Sequence, residues 1–339
     1  MAEIIQLSAS KKQSNDILET LRSEFSKDVA SVEVMMRENM GSYVDLIPEI
    51  GAHIVKAGGK RLRPLLTLAG ARITGYEGEK HIPLAAAVEF MHTATLLHDD
   101  VVDDSDMRRG MPTARMKWGN SASVLVGDFM LGQAFRMMVA AESLKALDVL
   151  SNAAAVIAEG EVMQLANLQN IDITEDNYLR VVEAKTAALF AAAIEVGAIV
   201  SGSPKNIIDA LQSYGRNLGV AFQLIDDALD YANQNTSLGK NYGDDFREGK
   251  ITLPVIMAFR RGDEEERAFW SRVIKSPSAS NEDLDQAIQY LKKTKAIEET
   301  LDRASHYGHR AKDALALFPD SDTKEQLLEL VDFCIRREH

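Results

Sequence analysis

Apolar residues recur at the i, i+3, i+4, i+7 spacing of a helix along almost the whole chain, and no convincing stretch alternates with the period of two that a half-buried strand requires. Long helices are expected over roughly 83–106, 121–141, 144–169, 175–201 and 204–233. Their starts carry local signals. Pro64, Pro83 and Pro204 suit the first helical position, where a missing N–H costs nothing, and Thr174-Glu175-Asp176 offers a cap followed by acid. Several segments are Ala-rich and apolar on more than one side, as helices buried at the centre of a bundle are. No repeat of solenoid period and no Ser/Gly/Pro-rich linker divides the chain. The expected fold class is therefore all-α, a single-domain helical bundle over 1–339.

Composition sharpens this picture. Hydrophobic residues make up 46% and aromatics only 6%, a mix that favours helix over sheet. The formal net charge of −13 sets the surface against nucleic acid and anionic lipid, so no nucleic-acid partner is expected. An acidic protein that handles phosphates must gather its Lys and Arg locally or recruit metal cations. The single cysteine, Cys334, excludes an intramolecular disulfide and suits a reducing, cytoplasmic setting. The N-terminal MAEIIQLSASKKQSND has no long apolar core of a signal peptide, and no run reaches about 18 uncharged apolar residues, so no membrane span is expected.

Two charged clusters interrupt the apolar pattern. Asp99-Asp100-Val101-Val102-Asp103 and Asp226-Asp227-Ala228-Leu229-Asp230 both read DDxxD. On a helix, residues i and i+4 share a face about 6 Å apart along the axis, so Asp99 projects with Asp103, and Asp226 with Asp230. Like charges at that spacing repel, and their setting among Leu, Val and Ile raises the cost of ionisation. Mg²⁺, which takes oxygen ligands from one or two carboxylates together with substrate phosphates, removes the difficulty. Each cluster could also be a solvated face or a helix end. A di-iron bundle would need two Glu-x-x-His pairs, and only Glu89 and His92 form one. Basic residues stand near both clusters. Gly58-Gly59-Lys60-Arg61-Leu62-Arg63 precedes a helix, Arg108 and Arg109 follow the first cluster, and Lys240 and Lys250 follow the second. Lys and Arg of this kind can grip diphosphates, Arg through its planar fork, or stand simply as solvated surface charges. Lys185 lies in a largely apolar helix, where it could equally snorkel to solvent, and His92 could be an ordinary core histidine.

Taken together, GGKRLRP, LLHDDVVDDSDMRRG, KT, FQLIDDALD and GDDFREGKITLP resemble the trans-isoprenyl diphosphate synthases, in particular the long-chain polyprenyl diphosphate synthases. The resemblance runs from about Val34 to the C-terminus and leaves 1–30 as a peripheral N-terminal extension. It implies a bundle of the isoprenoid synthase type with a central cavity, usually homodimeric. It implies Asp99, Asp103 and Asp226 as Mg²⁺ ligands, with Asp100, Asp227 and Asp230 in support and two or three ions bound with the allylic diphosphate. It implies Lys60, Arg63, His92 and Arg109 for isopentenyl diphosphate, Arg108, Lys185 and Lys240 for the allylic diphosphate, and Thr186, Gln223 and Lys250 as further active-site groups. Asp104 stands where relatives often carry Glu. The implied reaction is ionisation, condensation and elimination, giving a long-chain trans-polyprenyl diphosphate for quinone side chains. Chain length is implied to depend on Ala94 and Thr95, both small, with Met91 one turn deeper and Met137 or Met138 as a lower lining. The rival readings are a terpene cyclase, a non-catalytic subunit of a heteromeric prenyltransferase, and a helical interaction module.

Overall fold

The structure, a computed structural model, describes residues 17–232, 243–275 and 280–336. Helices dominate it: α1 (Ser26–Asn39), α2 (Leu46–Lys56), α3 (Leu62–Ile73), α4 (His81–Val102), α5 (Ala114–Trp118), α6 (Asn120–Ala140), α7 (Leu144–Ala166) and α8 (Glu175–Val182). A π-helical turn, Glu183–Ala187, joins α8 to α9 (Ala188–Val200), and α10 (Lys205–Ala232) follows. The C-terminal part comprises α11 (Asp244–Arg247), α12 (Leu253–Arg261), α13 (Glu264–Val273), α14 (Asn281–Lys293), α15 (Ala296–Ala314) and α16 (Asp322–Ile335). Between α4 and α5 lies a two-residue antiparallel ribbon, β1 (Met107–Arg108) and β2 (Met111–Pro112), which the sequence pattern does not announce.

Local chemistry sets the helix ends. The Ser143 hydroxyl accepts from the Ala146 N–H and Thr174 from Asn177, while Asp263 with Glu266 and Ser280 with Asp283 form reciprocal capping boxes. Helix α4 ends at Val102 rather than near 106 because Asp104 turns into the left-handed region at φ 51°. The long helices pair laterally, α4 with α6, α3 with α9, α9 with α10, and α10 with α15. Helix α4 buries residues around its whole circumference, among them Leu84, Phe90, Met91, Ala94 and Leu97. That makes it the central element of one core region, while a second core region gathers α10, α12, α13, α14 and α15.

The expectation of a peripheral extension over 1–30 fails for residues 17–30. Ile17, Leu18, Leu21 and Phe25 are buried in the same core as α4, because the helical stretch 17–24 carries its own apolar face. Residues 1–16 lie outside the described part. Among the described residues, α6 alone has the length and apolarity of a membrane span. It buries Val126, Met130, Ala134, Met137 and Met138 and packs along α4, as a core helix does.

Candidate active site

The first aspartate cluster ends α4 and splits by face as helical geometry requires. Asp99 and Asp103 keep 16% and 19% of their side-chain surface open, whereas Asp100 keeps 2%. Asp100 points inward and accepts from Arg108 Nε and Nη2, each at 2.9 Å, which fixes that arginine's guanidinium. In the second cluster, near the end of α10, Asp227 is buried and both its oxygens are taken, by the Tyr178 hydroxyl and by Gln223 Nε2 at 2.8 Å. Gln223 in turn accepts from Thr186 at 2.8 Å, so one chain of hydrogen bonds links α8, α10 and the π-helical turn. Asp230 accepts from the backbone N–H groups of Asp244 and Asp245 and so ties the start of α11 to α10. Asp226, the one partly open residue of the adjacent pair, feels the charges of Arg63 and Arg109.

Two lysines join these clusters to glutamates that the sequence reading did not single out. Lys185 Nζ lies 2.7 Å from Glu161 and 4.0 Å from Asp99. Lys250 Nζ lies 2.8 Å from Asp103 and 2.7 Å from Glu248. Burial opposes the charge on Lys250, yet Asp103, Glu248 and Asp245 together hold its pKa above the ordinary lysine value. A cavity of about 150 Å³ lies between these groups, lined by Tyr178, Lys185, Thr186, Asp227, Asp245 and Lys250. Lys185 and Thr186 both sit in the π-helical turn, a distortion that commonly marks functional positions. Gly160 of α7 makes room for it: a Cβ there would stand 2.9 Å from Ala184 Cβ and from Lys185 N.

A separate basic group gathers at the start of α3. Arg63 stacks over the Phe190 ring at 4.6 Å, and its Nε is buried without a hydrogen-bond partner. Burial lowers its pKa to about 10 against the attraction of Glu89 and Asp226. The exposed Lys60 lies over Phe333 of α16 at 4.7 Å. Gly59 is where the Arg109 guanidinium passes, since a Cβ there would meet Nη1 at 2.8 Å. His92 is held well below the usual histidine pKa, by burial and then by Arg63, Arg109 and Arg108, so it is neutral and brings a hydrogen-bonding nitrogen without further charge. Glu89, with one oxygen buried and unpartnered, stands beside Arg63; burial raises its pKa against the attraction of Arg63, Arg61 and Arg109. The structure thus brings Arg63, His92 and Arg109 together, with Lys60 next to Gly59, which the Arg109 guanidinium passes, while Lys185 and Lys250 stand at Asp99 and Asp103. Lys240 lies outside the described residues. Ala94 and Met91 are buried in α4 and Met137 and Met138 in α6, while Thr95 bonds back to the His92 carbonyl at 2.8 Å.

The donor set suits magnesium. Burial raises the Asp99 pKa to about 7, against the pull of Lys185 and with Glu161 and Asp103 adding to the rise: this carboxylate is short of positive charge. Among the described residues no three acidic or histidine side chains converge into a self-sufficient metal cage. That arrangement matches ions shared between one or two carboxylates and a ligand's phosphates. Asp99, Asp103 and Asp226 are the residues that would hold them.

Glu161 and Glu248 had only one signal in the sequence, a charge in or beside an otherwise tightly packed helix or turn. Tyr178 had none, because its partner lies 49 positions away. The polyprenyl synthetase family matches the chain over residues 44–291. The octaprenyl diphosphate synthase of Escherichia coli K12 is 46% identical over 321 residues, covering 95% of this chain and 99% of its own. The crystal structure of a decaprenyl diphosphate synthase from Rhodobacter capsulatus has a TM-score of 0.91 at 49% identity, covering 95% of this chain and 100% of that one. A polyprenyl synthase from Caulobacter crescentus CB15, complexed with calcium and isoprenyl diphosphate, has a TM-score of 0.91 at 48% identity, covering 94% and 98%. An all-α bundle with two acidic clusters and two sets of cations defines an enzyme of diphosphate substrates. The chain belongs to the polyprenyl synthetase family.

Proposed function

We propose that the protein condenses isopentenyl diphosphate successively onto an allylic diphosphate and releases a long-chain trans-polyprenyl diphosphate for quinone side chains, acting in the cytoplasm as one domain. The observation that carries this reading is that cations stand at two places: Lys185 and Lys250 on the carboxylates of Asp99 and Asp103, and Arg63 and Arg109 around neutral His92, with Lys60 next to Gly59, which the Arg109 guanidinium passes. Two groups imply two diphosphates. A terpene cyclase needs one, and a non-catalytic subunit needs no intact aspartate motif.

The residues divide the work. Lys185 and Lys250, joined by Arg108 and Lys240, hold the allylic diphosphate against the carboxylates. Two or three Mg²⁺ ions, when bound, neutralise the leaving diphosphate. Lys60, Arg63 and Arg109 hold isopentenyl diphosphate, and neutral His92 donates to it. Thr186 and Gln223, fixed to Asp227, keep the π-helical turn in register with α10. The apolar flank of α4 excludes water from the allylic cation. The isopentenyl double bond then attacks that cation, and the proton lost from the adduct passes to the departed diphosphate. Labelled isopentenyl diphosphate with a choice of allylic primers, Mg²⁺ and chromatography of the products tests this. Prenyl chains of about eight to ten units support it, and cyclic or hydrolysed products alone refute it.

The proposal extends to the oligomer. Leu125, Phe135 and Val139 are exposed and fall within about 80° of one another around α6. They form an apolar stripe along α6 of the kind that pairs two copies, and Val162 and Leu165 of the neighbouring α7 are exposed as well. Sedimentation should show a dimer that Leu125→Glu shifts toward monomer; a monomeric wild type contradicts the assignment.

A further inference from the structure

The two lysines on the first aspartate cluster are built alike. Each ammonium stands between one aspartate of the DDxxD motif and one glutamate outside both motifs: Lys185 is bonded to Glu161 at 2.7 Å with Asp99 at 4.0 Å, and Lys250 is bonded to both Glu248 at 2.7 Å and Asp103 at 2.8 Å. The four side chains flanking the metal-facing aspartates come from unrelated places, Glu161 from α7, Lys185 from the π-helical turn, and Glu248 and Lys250 from the segment after α11. Glu248 and Lys250 are neighbours in one turn, whereas Glu161 and Lys185 meet only through the packing of α7 on the π-helical turn. Lys250 holds Asp103 at 2.8 Å and Lys185 stands 4.0 Å from Asp99, so a dication and diphosphate that engage these carboxylates draw their charge away from both ammonium groups. An ammonium released into a half-buried site without a partner pays a desolvation penalty. Here each has a second carboxylate already at 2.7 Å.

We propose that Glu161 and Glu248 are positioning residues that retain Lys185 and Lys250 when the aspartates turn to metal, leaving both ammonium groups anchored beside the bound diphosphate. The idea rests on the metal–diphosphate reading of the site. It assigns the glutamates no bond to metal: they act through the lysines. Without its glutamate, a lysine leans wholly on its aspartate and competes with the cation.

Binding of Mn²⁺ in the presence of saturating inorganic diphosphate, followed by the electron paramagnetic resonance of the free ion, tests this without turnover. Glu161→Gln and Glu248→Gln, both near-isosteric, should each weaken Mn²⁺ binding at least fivefold. In the Lys185→Met background Glu161→Gln should change it less than twofold, and likewise Glu248→Gln in Lys250→Met. Wild-type affinity in both Gln variants overturns the proposal. So does a loss that persists undiminished in the Met backgrounds, which would make the glutamates ligands or simple sources of field. The two halves are independent, so a variant that fails to fold on one side leaves the other to decide. If the wild-type protein itself takes up no Mn²⁺ with diphosphate, the reading of the site falls and the proposal with it.

Discussion

Asp99 lies where burial works against its charge, and Glu161 and Asp103 add to the effect. Its carboxyl is raised from 3.8 to about 7, and buried Asp227 is raised likewise, by burial and then by Asp245. Above pH 3.8 the unfolded chain has released these protons while the folded protein still holds them. The folded state therefore binds more protons across that window, and its stability falls as pH rises toward 7. The metal-free enzyme should accordingly lose thermal midpoint between about pH 4 and 7 and level off above that, and Asp99→Asn should lose less of it. Mg²⁺ with inorganic diphosphate should flatten the profile by supplying the missing charge. A metal-free midpoint that rises over that range, with Asp99→Asn parallel to wild type, contradicts the assignment. The shared face of Asp99 and Asp103 was legible from the i, i+4 spacing alone, whereas the inward turn of Asp100 onto Arg108 came only with the packing of α4. The roles of Asp227 and Tyr178 were not, because a hydrogen bond between α8 and α10 leaves no trace in either segment's periodicity.

Among elements, the same division holds. Five long helices follow from apolar spacing and Pro or Thr starts, and four of them form within a few residues of the expected bounds. The fifth, 175–201, is broken by the turn Glu183–Ala187. A π-turn changes the register by a single residue, and what sustains it lies on other helices, where Gly160 and Gly219 leave no Cβ against Ala184, Lys185 and Ala187. Gly160→Ala should therefore act on chemistry through geometry. The new methyl group meets backbone and Ala184 Cβ at 2.9 Å, and the turn carrying Lys185 and Thr186 must shift. Displacements of this size cost catalysis far more than folding, so kcat should fall about tenfold or more while the thermal midpoint drops by only a few degrees. Steady-state kinetics beside thermal melting check this. Unchanged kcat with allylic and isopentenyl substrates saturating would show that the turn tolerates the methyl group and that its shape does not place Lys185.

At the scale of the whole molecule, the long dimension of the bundle has to be reconciled with the length of the product. Each isoprene unit adds four main-chain carbons, about 4–5 Å, so eight to ten units reach about 35–50 Å, against about 27 Å from His81 to Asp99 along α4 at 1.5 Å per residue. A growing chain that starts at Asp99 and follows α4 downward must bend or leave the bundle before it is complete. The residue one turn below is Thr95, whose hydroxyl is turned back onto the His92 carbonyl, and beside it stands Ala94. Neither blocks the way as an aromatic ring would. Below them, Met91 on α4 and Met137 and Met138 on α6 are buried where these two helices pack, and unbranched thioethers re-form around an advancing chain more easily than branched side chains do. If the chain takes this path, product length is the joint outcome of α4, α6 and the space between them, and one short motif suggests an open path without defining its end. We propose that position 94 lines this path. Ala94→Tyr places a ring across the path one turn from the aspartates and should shift products to about three or four units, the number that the shortened path admits, while the first condensation stays efficient. Thin-layer chromatography of the dephosphorylated products reads this directly. If Ala94→Tyr stays active and its longest products match those of the wild type, the chain does not pass Ala94, and the path must run along another face of α4.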